Sequence, residues 1–476
     1  MDVITIFQTL FHWGIIALVG TMILLLTLGG VYLIYRKLFH GKKRITIEKV
    51  ICAGLLICWL FLVFCLTSMS RGANFTDSIN VDFLSGYISA WNNWSISELQ
   101  LILFNIIMFT PLGFLLPLLW KKAEKMWVTV VVSLCLTGGI EVFQLLTGTG
   151  VFELDDLFHN LLGSMFGYFC IMAGLDVARE KKLRLAPFGK VFLIPSLIAL
   201  ILGVVFWAYY NQPYGNMDIL PAADQDLSAI KIVQEWESSC QKVSAAVYQN
   251  KFSGDKSRFE KIRGAIAELE PLTFSRAIRR ENENIGCLGE NAEGAECRMI
   301  FFSRTGEWSY TTFVETAARL TEETIDSLRV RYEVWMNEQE LLPENVEFSV
   351  QNGDTLRWDV LPISSLFEGE KAFQQGSVMI RLDKSGLLAD FFYQVTWNEY
   401  VCTEPIISEK EAYEQVRRGK FEQYVPFQPG DTLHITECKL EYRYDTKGFY
   451  QPVYEFSGYI NSSENLWVCQ IPALQQ

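Results

Sequence analysis

A chain of 476 residues, half of them hydrophobic, is too long for one compact domain, and its apolar residues are unevenly spread, so two bodies are expected. The formal charge of −13 hides a split: from Asn211 onward 26 Lys and Arg face 42 Asp and Glu, a net of −16, which leaves +3 for the first part. That acidity serves solubility and argues against nucleic acid as a partner, because the soluble part has no basic face to neutralise phosphates.

Six apolar runs fill residues 1–210: 13–35, 50–67, 99–119, 127–146, 157–175 and 191–210. Each is long enough for a hydrocarbon core of ~30 Å. The first follows Asp2 without a basic residue and is trailed by Arg36 and Lys37, the reverse of a cleavable signal, so it reads as a permanent anchor. Lys and Arg number 6, 3 and 5 in the loops 36–49, 121–126 and 176–190, whereas the opposite loops hold only Arg71. By the positive-inside rule those three loops are cytoplasmic, and the N-terminus and everything after Tyr210 lie outside. Trp13, Trp120, Trp127 and Trp207 stand at run ends as interfacial anchors.

Residues 211–229, rich in Pro, Gly and Asp, read as a linker. Beyond it, 230–248 and 322–340 read as amphipathic helices. Residues 346–350 and 355–360 form a hairpin across Asn352-Gly353, and Ser408 with Glu411 has capping-box spacing for a helix to about Arg418. Alternating runs follow at 432–444, 450–460 and 465–471, with a turn at Lys447-Gly448. The expected fold class is therefore an α-helical polytopic membrane domain of six transmembrane helices, residues 1–210, plus a C-terminal extracytoplasmic α+β domain, residues 230–476, with a subdomain boundary near 400. Cys52, Cys58, Cys65, Cys135 and Cys170 lie in apolar runs and read as packing. Cys240, Cys287, Cys297, Cys402, Cys438 and Cys469 allow three disulfides in an oxidising compartment, with Cys287 and Cys297 the pair closing a short Gly-containing loop.

The chemistry-bearing residues concentrate in 105–167. Asn105 and Glu141 each lie ~9 Å from the outer end of their helices at 1.5 Å per residue. Gln144 is one turn outward of Glu141, and the chain turns through Gly148 and Gly150 into a helix opening with Asp155-Asp156, then His159 and Asn160. Ionisable groups at bilayer depth are costly and normally face protein or water. The plain alternatives are that Asn105 bonds a neighbouring helix, that the two Asp cap a helix, and that Gly163 and Gly167 are close-packing residues. Pro111 and Gly113 interrupt the third run and read as structural too. Capping needs one acid, not two, and leaves Glu141 unexplained. Asn105, Glu141, Gln144, Asp155, Asp156 and Asn160 occupy one outer depth, and Arg71 adds a phosphate or carboxylate contact.

The runs FNIIMFTPLGFLLPLL and EVFQLLTGTGVFELDDLFHNLLGSMFG resemble the signature segments of the VanZ-like membrane proteins: Asn before Pro-x-Gly, then Glu-x-x-Gln, then Asp-Asp-x-x-x-Asn-x-x-Gly. The resemblance covers roughly residues 71–175. It implies a cell-envelope protein of Gram-positive bacteria, in a family whose namesake is associated with resistance to the glycopeptide teicoplanin. It assigns the family's characteristic positions to Asn105, Pro111, Gly113, Glu141, Gln144, Asp155, Asp156, Asn160 and Gly163. Thr149 stands where the family often has Arg and Asp82 where it has Pro, leaving the cluster more acidic than the family pattern. From Ser408 the chain more loosely resembles YycI-like and PepSY-like extracytoplasmic regulatory domains, which implies binding or regulation.

The leading expectation is a binding protein rather than an enzyme, holding an amphiphile such as a lipid-linked wall precursor or lipoglycopeptide at the outer leaflet. The alternatives are a membrane enzyme acting on a lipid phosphate, or an extracytoplasmic sensor working through a membrane-protein partner. No cofactor is read, apart from a divalent cation that Glu141, Asp155 and Asp156, as hard oxygen ligands, could hold.

Overall fold

The computed structural model describes residues 3–40, 42, 45–69, 79–180, 185–270, 272–281, 284–291, 294–312, 314, 320–361, 371–384, 387–423 and 425–475. Arg71 lies outside these residues. The chain divides into two compact units, one of residues 1–90 and 96–212, the other of residues 91–95 and 213–476.

In the first unit the helices are α1 (Val3–Lys37), α2 (Ile47–Phe64), α3 (Ser85–Asn92), α4 (Ile96–Leu119), α5 (Met126–Thr147), α6 (Leu154–Glu180) and α7 (Leu185–Asn211). All except the eight-residue α3 are long and apolar enough to cross a membrane. A π-helical turn at Cys65–Met69 extends α2, and the two-residue strands β1 (Ile79–Asn80) and β2 (Phe152–Glu153) pair in parallel. Helix α5 stops at Gly148, whose φ of +65° is open to glycine at no steric cost. The amide of Thr149 then reaches back to the Gln144 carbonyl at 3.1 Å.

Side chains are nearly absent where α4 meets α6. A Cβ on Gly113 would lie 1.7 Å from the Ser164 carbonyl oxygen, one on Gly163 1.8 Å from that of Ile106, and one on Gly167 2.0 Å from that of Thr110. Backbone touches backbone at three positions, a small-residue seam that brings two helices together in lipid, where no hydrophobic drive separates helix from tail. The indole N–H of Trp59 on α2 donates to the Met108 carbonyl of α4 at 2.6 Å. Its ring packs edge-on against Phe109, which is fully buried.

Among the described residues, the second unit is a largely antiparallel sheet with three helices. Its elements are β3 (Lys231–Gln234), β4 (Ser244–Asn250), α8 (Lys256–Leu269), β5 (Thr273–Glu281), β6 (Asn284–Glu290), β7 (Glu296–Phe301), β8 (Trp308–Thr312), α9 (Glu322–Glu338), β9 (Val346–Gln351), β10 (Thr355–Val360), β11 (Phe373–Leu382), β12 (Leu388–Pro405), α10 (Glu409–Arg417), β13 (Thr432–Tyr444), β14 (Phe449–Ile460) and β15 (Leu466–Pro472). Main strand order is β3-β13-β14-β4-β12-β8-β7-β6-β5, with β15 beside β14 and β11-β10-β9 branching from β12. One core gathers Trp308, Tyr310, Tyr332, Trp358 and Phe391 under α8 and α9; another gathers Val416, Phe421, Phe456 and Ile471 under α10. The 18-residue β12 serves both, pairing with β11 as far as Asn398 and with β4 from there to Pro405.

Local chemistry explains the elements the sequence made legible. Asn352 and Gly353 have φ of +52° and +81°, the left-handed pair that a type I′ turn between β9 and β10 requires. Ser408 and Glu411 close a reciprocal capping box at α10. Residues 230–248, expected as a helix, instead contribute β3 and β4. A short apolar run supports either period, and parallel pairing of β3 with β13 and antiparallel pairing of β4 with β12 decide for strand. The disulfide expectation also fails: all eleven cysteines are free, and Cys287 and Cys297 are buried on adjacent strands, where Cys287 pairs with Met299 and Cys297 with Gly289. That two-residue offset places them diagonally rather than face to face.

The seam makes a sharp prediction. Gly163→Ala forces α4 and α6 apart and should lower stability by ~1–3 kcal/mol as overpacking does, read as a lowered Tm of the detergent-solubilised protein. Gly174→Ala, on the same helix with nothing within 4 Å, should leave Tm unchanged or slightly raised.

Candidate functional site

The site is built at the N-terminal end of α6. Four unpaired N–H groups there attract carboxylates, yet Asp155 does not spend itself on its own helix. Its Oδ1 accepts the Leu84 amide at 2.7 Å and its Oδ2 the Gly86 amide at 3.0 Å, so it caps α3, 71 residues earlier in the chain. Leu84 sits at φ +68°, a left-handed conformation uncommon for leucine, and this double bond helps hold it. The turn before α3 is completed by Asn80, which donates to Ser85 Oγ at 2.8 Å.

Capping fixes Tyr87 against His159: the hydroxyl and Nε2 are 2.7 Å apart and the rings meet edge-on at 5.2 Å. Burial, and secondarily the Asp155 charge, pushes the Tyr87 hydroxyl up to about 12. The other imidazole nitrogen, Nδ1, is buried without a hydrogen bond and stands 3.8 Å from Asp156 Oδ1. That same oxygen accepts from Asn105 Nδ2 of α4 at 2.5 Å. A chain of polar groups therefore runs Tyr87, His159, Asp156, Asn105 across α3, α6 and α4. Asp156 is its carboxylate and stays partly wet, with 25% of its side chain exposed against 3% for His159.

The α5 side is a buried polar stripe, with Thr129, Ser133, Thr137, Glu141 and Gln144 all within 4% exposure at helical spacing. Asn160 Nδ2 donates to Thr137 Oγ1 at 2.7 Å, leaving its own Oδ1 buried without a partner. Ser133 and Ser164 share a hydrogen bond of 2.9 Å one turn deeper. Glu141 accepts the Glu153 amide at 3.2 Å, while Gln144 donates to the Thr67 carbonyl at 2.8 Å. At the far end of the helices Tyr168 donates to the Glu124 carbonyl and Arg179 pairs with the Glu124 carboxylate.

Of the residues expected from sequence, Asn105 and Asp156 bond directly. Asn160 and Glu141 face the α5–α6 seam, Gln144 is turned to the end of α2, and Asp155 is committed to α3. Among the described residues no group of three or more His, Cys, Asp and Glu is placed to hold a metal ion. Sequence reading left out Tyr87, Thr137 and the whole of α3. The available signal was the spacing of Tyr87, Trp91 and Trp94 between two spans, too short a run to separate from a loop.

A bundle of six membrane-length helices with a polar cluster gathered at one end defines a multi-pass membrane protein. Residues 52–175, the stretch from α2 to α6, match the VanZ/LLP1 family model, so this region is VanZ-like. No curated protein matches the chain. Among solved structures, an uncharacterized protein from Eubacterium rectale is similar at 14% identity, covering 51% of this chain and 87% of its own, with a TM-score of 0.25. The YpeB C-terminal domain of Bacillus megaterium is similar at 10% identity, covering 47% and 98% respectively, with a TM-score of 0.21.

Asp155→Ala should remove both amide acceptors from α3, costing ~1–2 kcal/mol as loss of a strong cap does, and should accelerate hydrogen exchange at Leu84 and Gly86. Asp156→Ala, which leaves that cap in place, should not change exchange at those two amides.

Proposed function

We propose that this protein is a cell-envelope membrane protein that binds the polar head of an amphiphile at the outer leaflet, in the region formed by Asn105, Glu141, Asp156 and Asn160. The carrying observation is the pairing of Asn105 with Asp156 beside a buried imidazole, three helices contributing polar groups at one end of an apolar bundle. Ionisable and amide groups kept at that depth are expensive, and a ligand with donors offsets the cost. In this reading the ligand is a lipid-linked wall precursor or a lipoglycopeptide, the family match supports a contribution to glycopeptide resistance of the teicoplanin type, and the second unit is extracytoplasmic. Arg71 is the cation proposed to meet a phosphate or carboxylate of the same ligand.

The acceptor-rich composition favours a ligand that brings N–H or O–H donors. Binding of an amphiphile, with no bond made or broken, accounts for the arrangement; a metal-assisted reaction at a lipid phosphate is the competing reading. Chelator treatment and metal analysis of purified protein separate the two. A stoichiometric divalent ion, with function lost on its removal, favours the enzyme.

In cells, Glu141→Gln combined with Asp156→Asn should raise sensitivity to teicoplanin-type glycopeptides at least severalfold at unchanged protein level. Unchanged drug sensitivity of the double variant, at equal abundance, would remove the ground for the binding reading.

A further inference from the structure

Three groups near the start of α6 bear on what the head of the ligand carries. Asp156, His159 and Asn160 stand at i, i+3 and i+4, so they share one face of the helix. His159 and Asn160 are 2% and 4% exposed, and each keeps one polar atom with no hydrogen bond among the described residues, Nδ1 of the imidazole and Oδ1 of the amide. Buried polar atoms are paired as a rule, so two exceptions on one helical turn call for a partner that completes them.

The unanswered chemistry is that of acceptors. Asn160 uses its Nδ2 on Thr137, which leaves the carbonyl oxygen. His159 meets the Tyr87 hydroxyl through Nε2; in the tautomer that donates this bond, Nδ1 holds a lone pair 3.8 Å from Asp156 Oδ1. Asp156 accepts a single bond, from Asn105, and its carboxylate is partly exposed. The sequence around it adds negative charge and no cation: segments 79–90, 96–105 and 141–160 together hold six carboxylates and no Lys or Arg.

That pattern selects among headgroups. An anion meets the Asp156 charge. A hydroxyl answers the acceptors but leaves the charge unpaired. A divalent metal takes six or more oxygens, and among the described residues no three His, Cys, Asp and Glu are grouped to begin such a shell. A quaternary ammonium brings charge without an N–H. A primary ammonium brings one positive charge and three N–H donors, one for each acceptor.

We infer that the head of the ligand carries a primary ammonium, which docks on Asp156 with His159 Nδ1 and Asn160 Oδ1 as its other acceptors. This rests on the amphiphile-binding reading and names the headgroup which that site selects. Native mass spectrometry of the full-length protein in detergent tests it, with phosphatidylethanolamine, phosphatidylcholine and phosphatidylglycerol of one acyl composition as probes. All three share a phosphodiester, and only the first has a primary ammonium. We expect phosphatidylethanolamine to fill one site per chain at least tenfold more tightly than the other two, and free ethanolamine at equal concentration not to displace it. Asp156→Asn should erase that preference at unchanged Tm, whereas Glu98→Gln, in the first turn of α4 and outside the cluster, should keep it. If Asp156→Asn is too unstable to purify, the wild-type ranking of the three lipids decides. Phosphatidylglycerol or phosphatidylcholine bound as tightly as phosphatidylethanolamine, with that binding lost in Asp156→Asn, overturns the ammonium assignment and leaves the binding reading standing. Equal binding of every lipid to the wild type and to Asp156→Asn overturns both. Displacement by equimolar ethanolamine overturns a membrane-borne source for the ammonium.

Discussion

Backbone contact between α4 and α6 is the constraint on which the membrane unit depends. Three glycines remove the side chains that would hold the helices apart, and the carbonyls of Ile106, Thr110 and Ser164 fill the vacated space. Such closeness sets the helix axes within a narrow tolerance, and the Asn105–Asp156 bond is possible only within it. In a lipid environment, where apolar surface gains nothing from leaving tails for a neighbouring helix, packing and buried hydrogen bonds carry this association. The Ser133–Ser164 and Asn160–Thr137 bonds join α5 to the same pair.

The two adjacent aspartates show how position divides labour. Consecutive residues on a helix point about 100° apart, so Asp155 and Asp156 face different neighbours although they share one turn. Asp155 looks toward α3 and completes it; Asp156 looks toward α4 and keeps a partly wet oxygen pair. The tandem acids, which capping alone left unexplained, become two separate tasks, one that caps α3 and one that bonds Asn105 of α4.

Much of this was legible in the sequence, because its strongest signals are long. Six apolar runs became six membrane-length helices, the Asn-Gly turn and the capping box appeared where turn and cap chemistry demand them, and two of the expected polar residues, Asn105 and Asp156, are hydrogen-bonded to each other. What was not legible depended on tertiary pairing. The strands β3 and β4 carry too few apolar residues to fix a period, and only their partners β13 and β12 decide the matter. Helix α3 owes its start to a carboxylate 71 residues away, a dependence that no local pattern records.

The long reach of the Asp155 bonds has a bearing on biogenesis. The α3 cap is supplied from beyond two entire spanning helices, and β1 must wait for β2 across the same interval. During synthesis, α3 and the turn before it emerge with their amides unanswered until α4, α5 and the first turn of α6 have all been inserted. Closing so long a loop comes after local helix formation. The polar cluster is therefore among the last parts of the membrane unit to assemble, and a chain arrested after α5 would display an α3 with no carboxylate to begin it.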